Sequence, residues 1–166
     1  MNGAHWHLVL NHFPFIGGVF STIVLLIGYM TKNQLVKTTG LSLIVFTGLI
    51  TIPAFQSGEG AEDTLEAIGQ KNHAMIHPHE EAAELALWVM EAGAALALIA
   101  LFLQSRKNKA SNMLTTMSLV ISLVSTGLFM NVNNLGGKIR HTEIREQGAA
   151  GAPVNVADST EEEERR

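Results

Sequence analysis

Seven histidines carry most of the chemical potential of this chain: His5, His7 and His12 near the start, His73, His77 and His79 in the middle, and His141 near the end. Imidazole is the commonest metal ligand and the side chain that changes charge near neutral pH. Carboxylates keep it company, with Glu80 and Glu81 directly after His79 and Glu84 and Glu91 further along. There is no cysteine, which excludes disulfides, Cys-ligated iron–sulfur clusters and thioether-attached haem. Haem held by histidine alone stays open. No nucleophile has a base beside it, and neither a phosphate loop nor a dinucleotide fingerprint occurs, so a stand-alone enzyme acting on a small substrate is not expected. A net charge of -4, with no basic patch interleaved with aromatics, sets nucleic acid aside.

The elements that must position these residues follow from hydropathy. A mean hydropathy of +0.22 averages long apolar blocks with short, very polar links. A membrane-crossing helix needs about 20 mostly apolar residues, and four blocks qualify: 8–30, 38–55, 82–103 and 113–132. Backbone polar groups in lipid must pair internally, so the expectation is an all-α membrane protein. The links 31–37 and 104–112 are short, which predicts an up-down-up-down four-helix bundle. The middle link, 56–81, is longer and acidic, with a short helix predicted around 61–68. Lys32, Lys37, Arg106, Lys107 and Lys109 fall in the two short links, which hold no Asp or Glu. The positive-inside rule places those links in the cytoplasm and both termini on the outer, periplasmic side; Lys138, Arg140 and Arg145 run against that bias. The start has neither a basic n-region nor a small-residue cleavage site, so the first block is expected to stay in the mature protein. The transmembrane domain is then 1–147. The remaining 148–166, Gly/Ala-rich and then acidic, is an extramembrane tail expected to be disordered on its own.

On this topology all seven histidines fall at the outer interface. Solvation of single interfacial histidines is the plain alternative; the set of seven points to a shared ligand or proton-handling site. Pro14, followed by Gly17 and Gly18, predicts a kinked, glycine-lined start to the first span, suited either to close helix packing or to one wall of a cofactor pocket. In His77-Pro78-His79-Glu80-Glu81, Pro78 suits the first helical position, and carboxylates suit the first turn because they complement the helix dipole. Glu80, Glu84 and Glu91 share one helical stripe. Glu91 falls inside an apolar span, where an ionisable residue is a functional candidate; the alternative is a hydrogen bond to Thr115, Thr116, Ser118, Ser122, Ser125 or Thr126 in the fourth span. Gly136-Gly137 permits a sharp reversal that would bring His141 over the bundle mouth. Lys138, Arg140 and Arg145 would then meet anionic groups, either haem propionates or lipid headgroups.

The pattern resembles a widespread bacterial family of small, uncharacterised four-helix membrane proteins. Its members open with a histidine, four residues, then His-Phe-Pro or a close variant, and end with a Gly-Gly turn and a further histidine. His7 and His12 match the opening motif and His141 the closing one, although Gly137 and His141 stand closer together than in the broader family. His79 in HEEAAE resembles the helix-3 histidine of relatives with a His-Glu-Glu start, and Ser57-Gly58-Glu59-Gly60-Ala61-Glu62 resembles a segment after their second helix. The likeness covers about residues 5–146. Some members are fused to Rieske-type or cytochrome domains, which implies redox company and a bacterial inner membrane.

Together these readings give the expectation of a b-type cytochrome-like subunit. One or two haems b would be held near the outer face by His7, His12, His79 and His141, with His77 and His73 in reserve and Arg140 and Arg145 beside the cofactor. His7 and His12 are five residues apart, about 140° around an ideal helix, so they need not serve one site. Electrons would pass between the quinone pool and an outer-face partner such as a cytochrome c or Rieske protein, within a larger complex. Glu84 and Glu91 would handle protons. A cofactor-free accessory subunit of a respiratory or photosynthetic complex is the alternative, and a non-haem zinc or iron site ranks third.

Overall fold

The computed structural model describes residues 2–145, apart from the side chain of residue 142; the predicted tail, 148–166, lies outside the described residues. The described chain is helical, in the order α1 (Gly3–Leu10), α2 (Phe13–Met30), α3 (Gln34–Ala67), α4 (His73–Ser105) and α5 (Ala110–Arg140), with a 3-10 turn at Thr142–Ile144.

Proline sets the first break. Pro14 has no N–H for the Leu10 carbonyl, and its ring crowds that oxygen. α1 therefore ends at Leu10, and Pro14 sits in the first turn of α2. The kink expected inside one helix is instead a junction between two, in a position where a missing N–H costs little. Two other expectations shift similarly. The short helix predicted at 61–68 is the end of α3, which runs unbroken through Pro53 to Ala67. α4 starts at His73, a turn before Pro78, which therefore lies inside the helix rather than at its first position. Ile76, only 6% exposed, anchors that extra turn.

The two tight turns share one plan. Lys32 and Lys107 both take left-handed backbone, at φ 52° and 54°. In each, the N–H groups of the lysine and the following asparagine return to carbonyls of the helix just ended: Lys32 to Tyr29 and Asn33 to Gly28, Lys107 to Gln104 and Asn108 to Leu103. Each asparagine side chain then starts the next helix. Asn33 Oδ1 accepts from Leu35 and Val36 N–H at 3.0 and 3.3 Å, and Asn108 Oδ1 from Ala110 N–H at 2.9 Å. These side-chain acceptors satisfy orphan donors of a helix start.

α2 packs on α3, α3 on α4, α4 on α5, and α5 closes back on α2, while α1 lies against α3. The seam is built of small side chains. Ala86, Ala97 and Ala100 lie with Leu25, Leu41, Ile44 and Met90 at the centre, and a Cβ on Gly40 would stand 2.7 Å from the Cα of Leu25. Such residues let helix backbones approach where lipid offers no hydrophobic drive for association. The interior hydroxyls are mostly satisfied by their own helix, as with Thr47 to the Leu43 carbonyl and Ser118 to that of Leu114, each one turn back. Thr22 and Ser122 bond across the bundle at 2.6 Å. Large apolar side chains face outward, among them Phe20, Phe46, Leu49, Leu98, Phe102 and Leu123. All four spans are long and apolar enough to cross a membrane, as expected of a multi-pass membrane protein.

Lengths fix what projects. The 34 residues of α3 reach about 50 Å at 1.5 Å per residue, against roughly 30 Å of hydrocarbon. The surplus of α3 lies beyond its apolar block, at the end of the bundle shared with α1, the start of α4 and the end of α5.

Candidate functional site

At that end two histidines from different helices meet. His7 on α1 and His79 on α4 have ring centroids 6.5 Å apart and ring planes at 88°. Both are partly buried. Each stands within three residues of an apolar block, so the pair sits at the rim of the bundle's apolar zone.

Hydrogen bonds orient both rings. Ser57 Oγ has a single proton and donates it to the Ala54 carbonyl at 2.6 Å. His7 Nδ1 lies 3.0 Å from that same oxygen, and with the Ser57 proton on the Ala54 carbonyl it donates its own N–H. His79 Nδ1 lies 3.1 Å from the Val132 carbonyl, which can only accept. A neutral His79 thus carries its proton on Nδ1 and keeps the Nε2 lone pair, and His7 does the same when Ser57 donates to Ala54. An Nδ1–H tied to a protein acceptor is the outer-shell arrangement that prepares a histidine for metal ligation.

Bare backbone lines both rings. A Cβ added to Gly136 would stand 3.0 Å from His79 Cε1, and one on Gly58 would stand 3.8 Å from His7 Cε1. One turn from this point, Gly3 and Gly60 touch so closely that a Cβ on Gly3 would run into the Gly60 backbone. Gly136 and Gly137 were expected to reverse the chain. Instead α5 continues through them to Arg140, and within that helix Gly136 leaves room for the His79 ring.

The remaining predicted site residues do not join this ring contact. His12 is exposed at the junction before α2 and makes no side-chain capping bond. His141 is exposed where α5 ends, with Nδ1 2.8 Å from Glu143 Oε1. The backbone N–H of Glu143 and the His141 imidazole hold the Glu143 carboxyl below the usual carboxylate range. His73 and His77 are exposed, the latter 3.6 Å from Glu81. Arg145 donates to the Lys138 and Ile139 carbonyls at 2.7 and 2.9 Å, closing the end of α5, and Arg140 donates to Gln70 at 3.2 Å. Neither guanidinium is directed to the histidine pair by these bonds. Lys71 bridges Glu66 at 2.6 Å and Glu62 at 3.1 Å, and those carboxylates hold its ammonium above the usual lysine range. Glu84 is exposed.

Glu91 is part-buried, and its Oε1 has no hydrogen-bond partner among the described residues. It faces Gly48 on α3, where a Cβ would stand 3.5 Å from Oε2. The hydroxyls of α5 proposed as its partners are otherwise engaged: Thr115, Ser118 and Thr126 with their own helix, Thr116 with Tyr29, Ser122 with Thr22 and Ser125 with Met90 Sδ.

Ser57 and the Val132 carbonyl were not singled out as parts of the site. Ser57 lies in the Ser57–Glu62 segment noted for its family likeness, and its small neighbours Gly58 and Gly60 were the available signal that another backbone comes close. Nothing in the sequence marked the Val132 carbonyl.

Among the described residues, no three His, Asp or Glu side chains converge as a metal ion held by protein alone would require. Haem asks less of the protein, since its iron takes only axial side-chain ligands. Two metal–nitrogen bonds of about 2 Å, plus roughly 1 Å from nitrogen to ring centre on each side, separate opposed imidazole centres by roughly 6 Å. The 6.5 Å between the His7 and His79 ring centres is of that order, and imidazole is the donor type that a haem held without cysteine takes. No protein-family model matches the chain, and no curated protein or solved structure is detectably similar to it.

Proposed function

We propose that this chain is a b-type cytochrome-like electron-transfer subunit of the bacterial inner membrane, with one haem b held between His7 and His79. The observation that carries this reading is the oriented pair: imidazoles from two helices with centroids 6.5 Å apart, one held at Nδ1 by Ser57 and the other by the Val132 carbonyl. One haem is preferred to two because His12 and His141 are exposed and His141 is bonded to Glu143. When bound, haem would supply one-electron exchange with a quinone and with an outer-face partner such as a cytochrome c or Rieske protein. The chain's own contribution is positional. Ser57 and the Val132 carbonyl hold the rings, and Gly58 and Gly136 keep side chains away from them. The charge bias of Lys32, Lys37, Arg106, Lys107 and Lys109 supports an outer location for the site.

The test is a reduced-minus-oxidised absorption spectrum with a pyridine haemochrome assay, on protein purified in mild detergent after haem-sufficient expression. A b-type spectrum is the expected result. A flat spectrum from folded protein would overturn the proposal and leave the cofactor-free accessory subunit in its place.

The serine provides a finer test. Ser57→Ala removes the acceptor of the His7 Nδ1–H while leaving both imidazoles in place. Outer-shell losses of this kind weaken ligand binding by about 10–100-fold, and a haem titration of the apoprotein should show a loss in that range.

A further inference from the structure

We propose that Glu91 is a proton-binding site at mid-depth in the membrane, on the seam between α3 and α4 and bordering the lipid-facing stripe. The inference is independent of the histidine pair.

Depth comes first. Glu84 and Glu91 are the only Asp, Glu, Lys or Arg in the four apolar blocks, and Glu84 stands at the third residue of its block whereas Glu91 lies deep within it. Glu91 lies 9 residues from one end of its block, 82–103, and 12 from the other, about 14 and 18 Å along the helix axis. Both ends of the block are therefore too far for the short glutamate side chain to reach water by bending toward the interface.

Surroundings come second. The carboxyl lies over Gly48, beside Ala94, where α3 carries no side chain and the two helices pack closely. The nearby hydroxyls of α3 do not serve it: Thr47 donates to the Leu43 carbonyl and Thr51 to the Thr47 carbonyl. No ionisable group faces it from the helices packed on α4. α3 between Thr38 and Gly58, and α5 between Ala110 and Gly137, hold no Asp, Glu, Lys, Arg or His, and the nearest carboxylate on α4 itself is Glu84, two turns away. An anion with no cation and no donor is not sustained at that depth, whereas a neutral carboxylic acid is.

Access comes third. Trp88 and Ala95, one turn to either side of Glu91, are exposed on the outward face. Glu91 thus borders the stripe that meets lipid, the side from which a lipid-soluble reagent approaches its carboxyl.

The test is reaction with a lipid-soluble carbodiimide, dicyclohexylcarbodiimide, on the full chain in detergent or vesicles, mapped by peptide mass. The carboxylic proton moves to one carbodiimide nitrogen and the carboxylate oxygen adds to the central carbon. An acyl shift from oxygen to nitrogen then gives a stable N-acylurea with no atom lost. The expected result is labelling at Glu91 more than about ten-fold faster than at carboxylates of the polar links, because only a protonated acid in an apolar phase reacts efficiently. Glu91→Gln should lose that label and also lose a protonated-carboxyl stretch from the infrared spectrum. Folded protein that stays unlabelled at Glu91, or that a water-soluble carbodiimide labels there equally fast, would overturn the proposal, as would an infrared spectrum unchanged by the substitution.

Discussion

Replacing His79 with alanine is expected to abolish the b-type absorption band, and replacing His7 is expected to do the same. Each substitution removes one of two ligands outright, so the loss should exceed the roughly 10–100-fold expected from disturbing an outer-shell partner. The neighbouring histidines supply the contrast. His12→Ala and His141→Ala should leave the band in place, since both side chains are exposed and His141 is already bonded to Glu143. Opening-motif symmetry would have predicted equal loss at 7 and 12. The break between α1 and α2 instead puts the two residues in different elements. Reduced-minus-oxidised spectra of the four variants, normalised to protein that elutes as folded, decide the matter. Loss of the band in the His12 or His141 variant, with retention in the His79 variant, would remove the pair from the site.

The second large effect is on stability, and it separates two glycines that look alike in sequence. Gly40→Ala should destabilise the bundle by about 1–3 kcal/mol, the usual effect of overpacking a tight interior. Its new methyl would stand 2.7 Å from both the Cα and the Cβ of Leu25 and 2.8 Å from the Leu25 nitrogen. These are atoms of the main chain and its root, which cannot rotate aside, so α2 and α3 must separate. Gly127→Ala should do the opposite. Nothing lies within 4 Å of its Cβ position, and alanine inside a helix is favoured over glycine by about 1 kcal/mol. Thermal unfolding in detergent, followed by circular dichroism, should place the two variants on opposite sides of the parent protein. A Gly40→Ala protein as stable as the parent would show that the α2–α3 contact is looser than described.

The spans were legible because lipid imposes one requirement, and 18 or more apolar residues in a row can meet it in few ways. Element ends were less legible, since they depend on competition between local signals. Pro14 and Pro78 carry the same backbone restriction, yet one opens a helix and the other lies within it. What differs is upstream: Leu10 ends α1 in the first case, and the buried Ile76 sustains an extra turn in the second. Gly136-Gly137 read as a turn because glycine permits one, but a glycine kept for the room it leaves looks the same in sequence. Of the site, the histidines were visible and their pairing was not. Which imidazole meets which depends on the rotation and depth of α1 against α4, two helices some seventy residues apart in the chain, and on partners as unmarked as a backbone carbonyl. Glu91 was visible as a charge in an apolar run, but its facing Gly48 rather than α5 could only come from the packing.

The repeated Lys-Asn turn divides the bundle into two helical hairpins, α2–α3 with α1 attached and α4–α5. Each histidine is oriented within its own hairpin, His7 by Ser57 on α3 and His79 by Val132 on α5. Neither hairpin contains a pair. The two imidazoles come together only when the hairpins dock, so the site cannot exist in a half-assembled chain. A ligand that needs both would act as a clamp on the last step of folding, and its binding would report that the protein is finished.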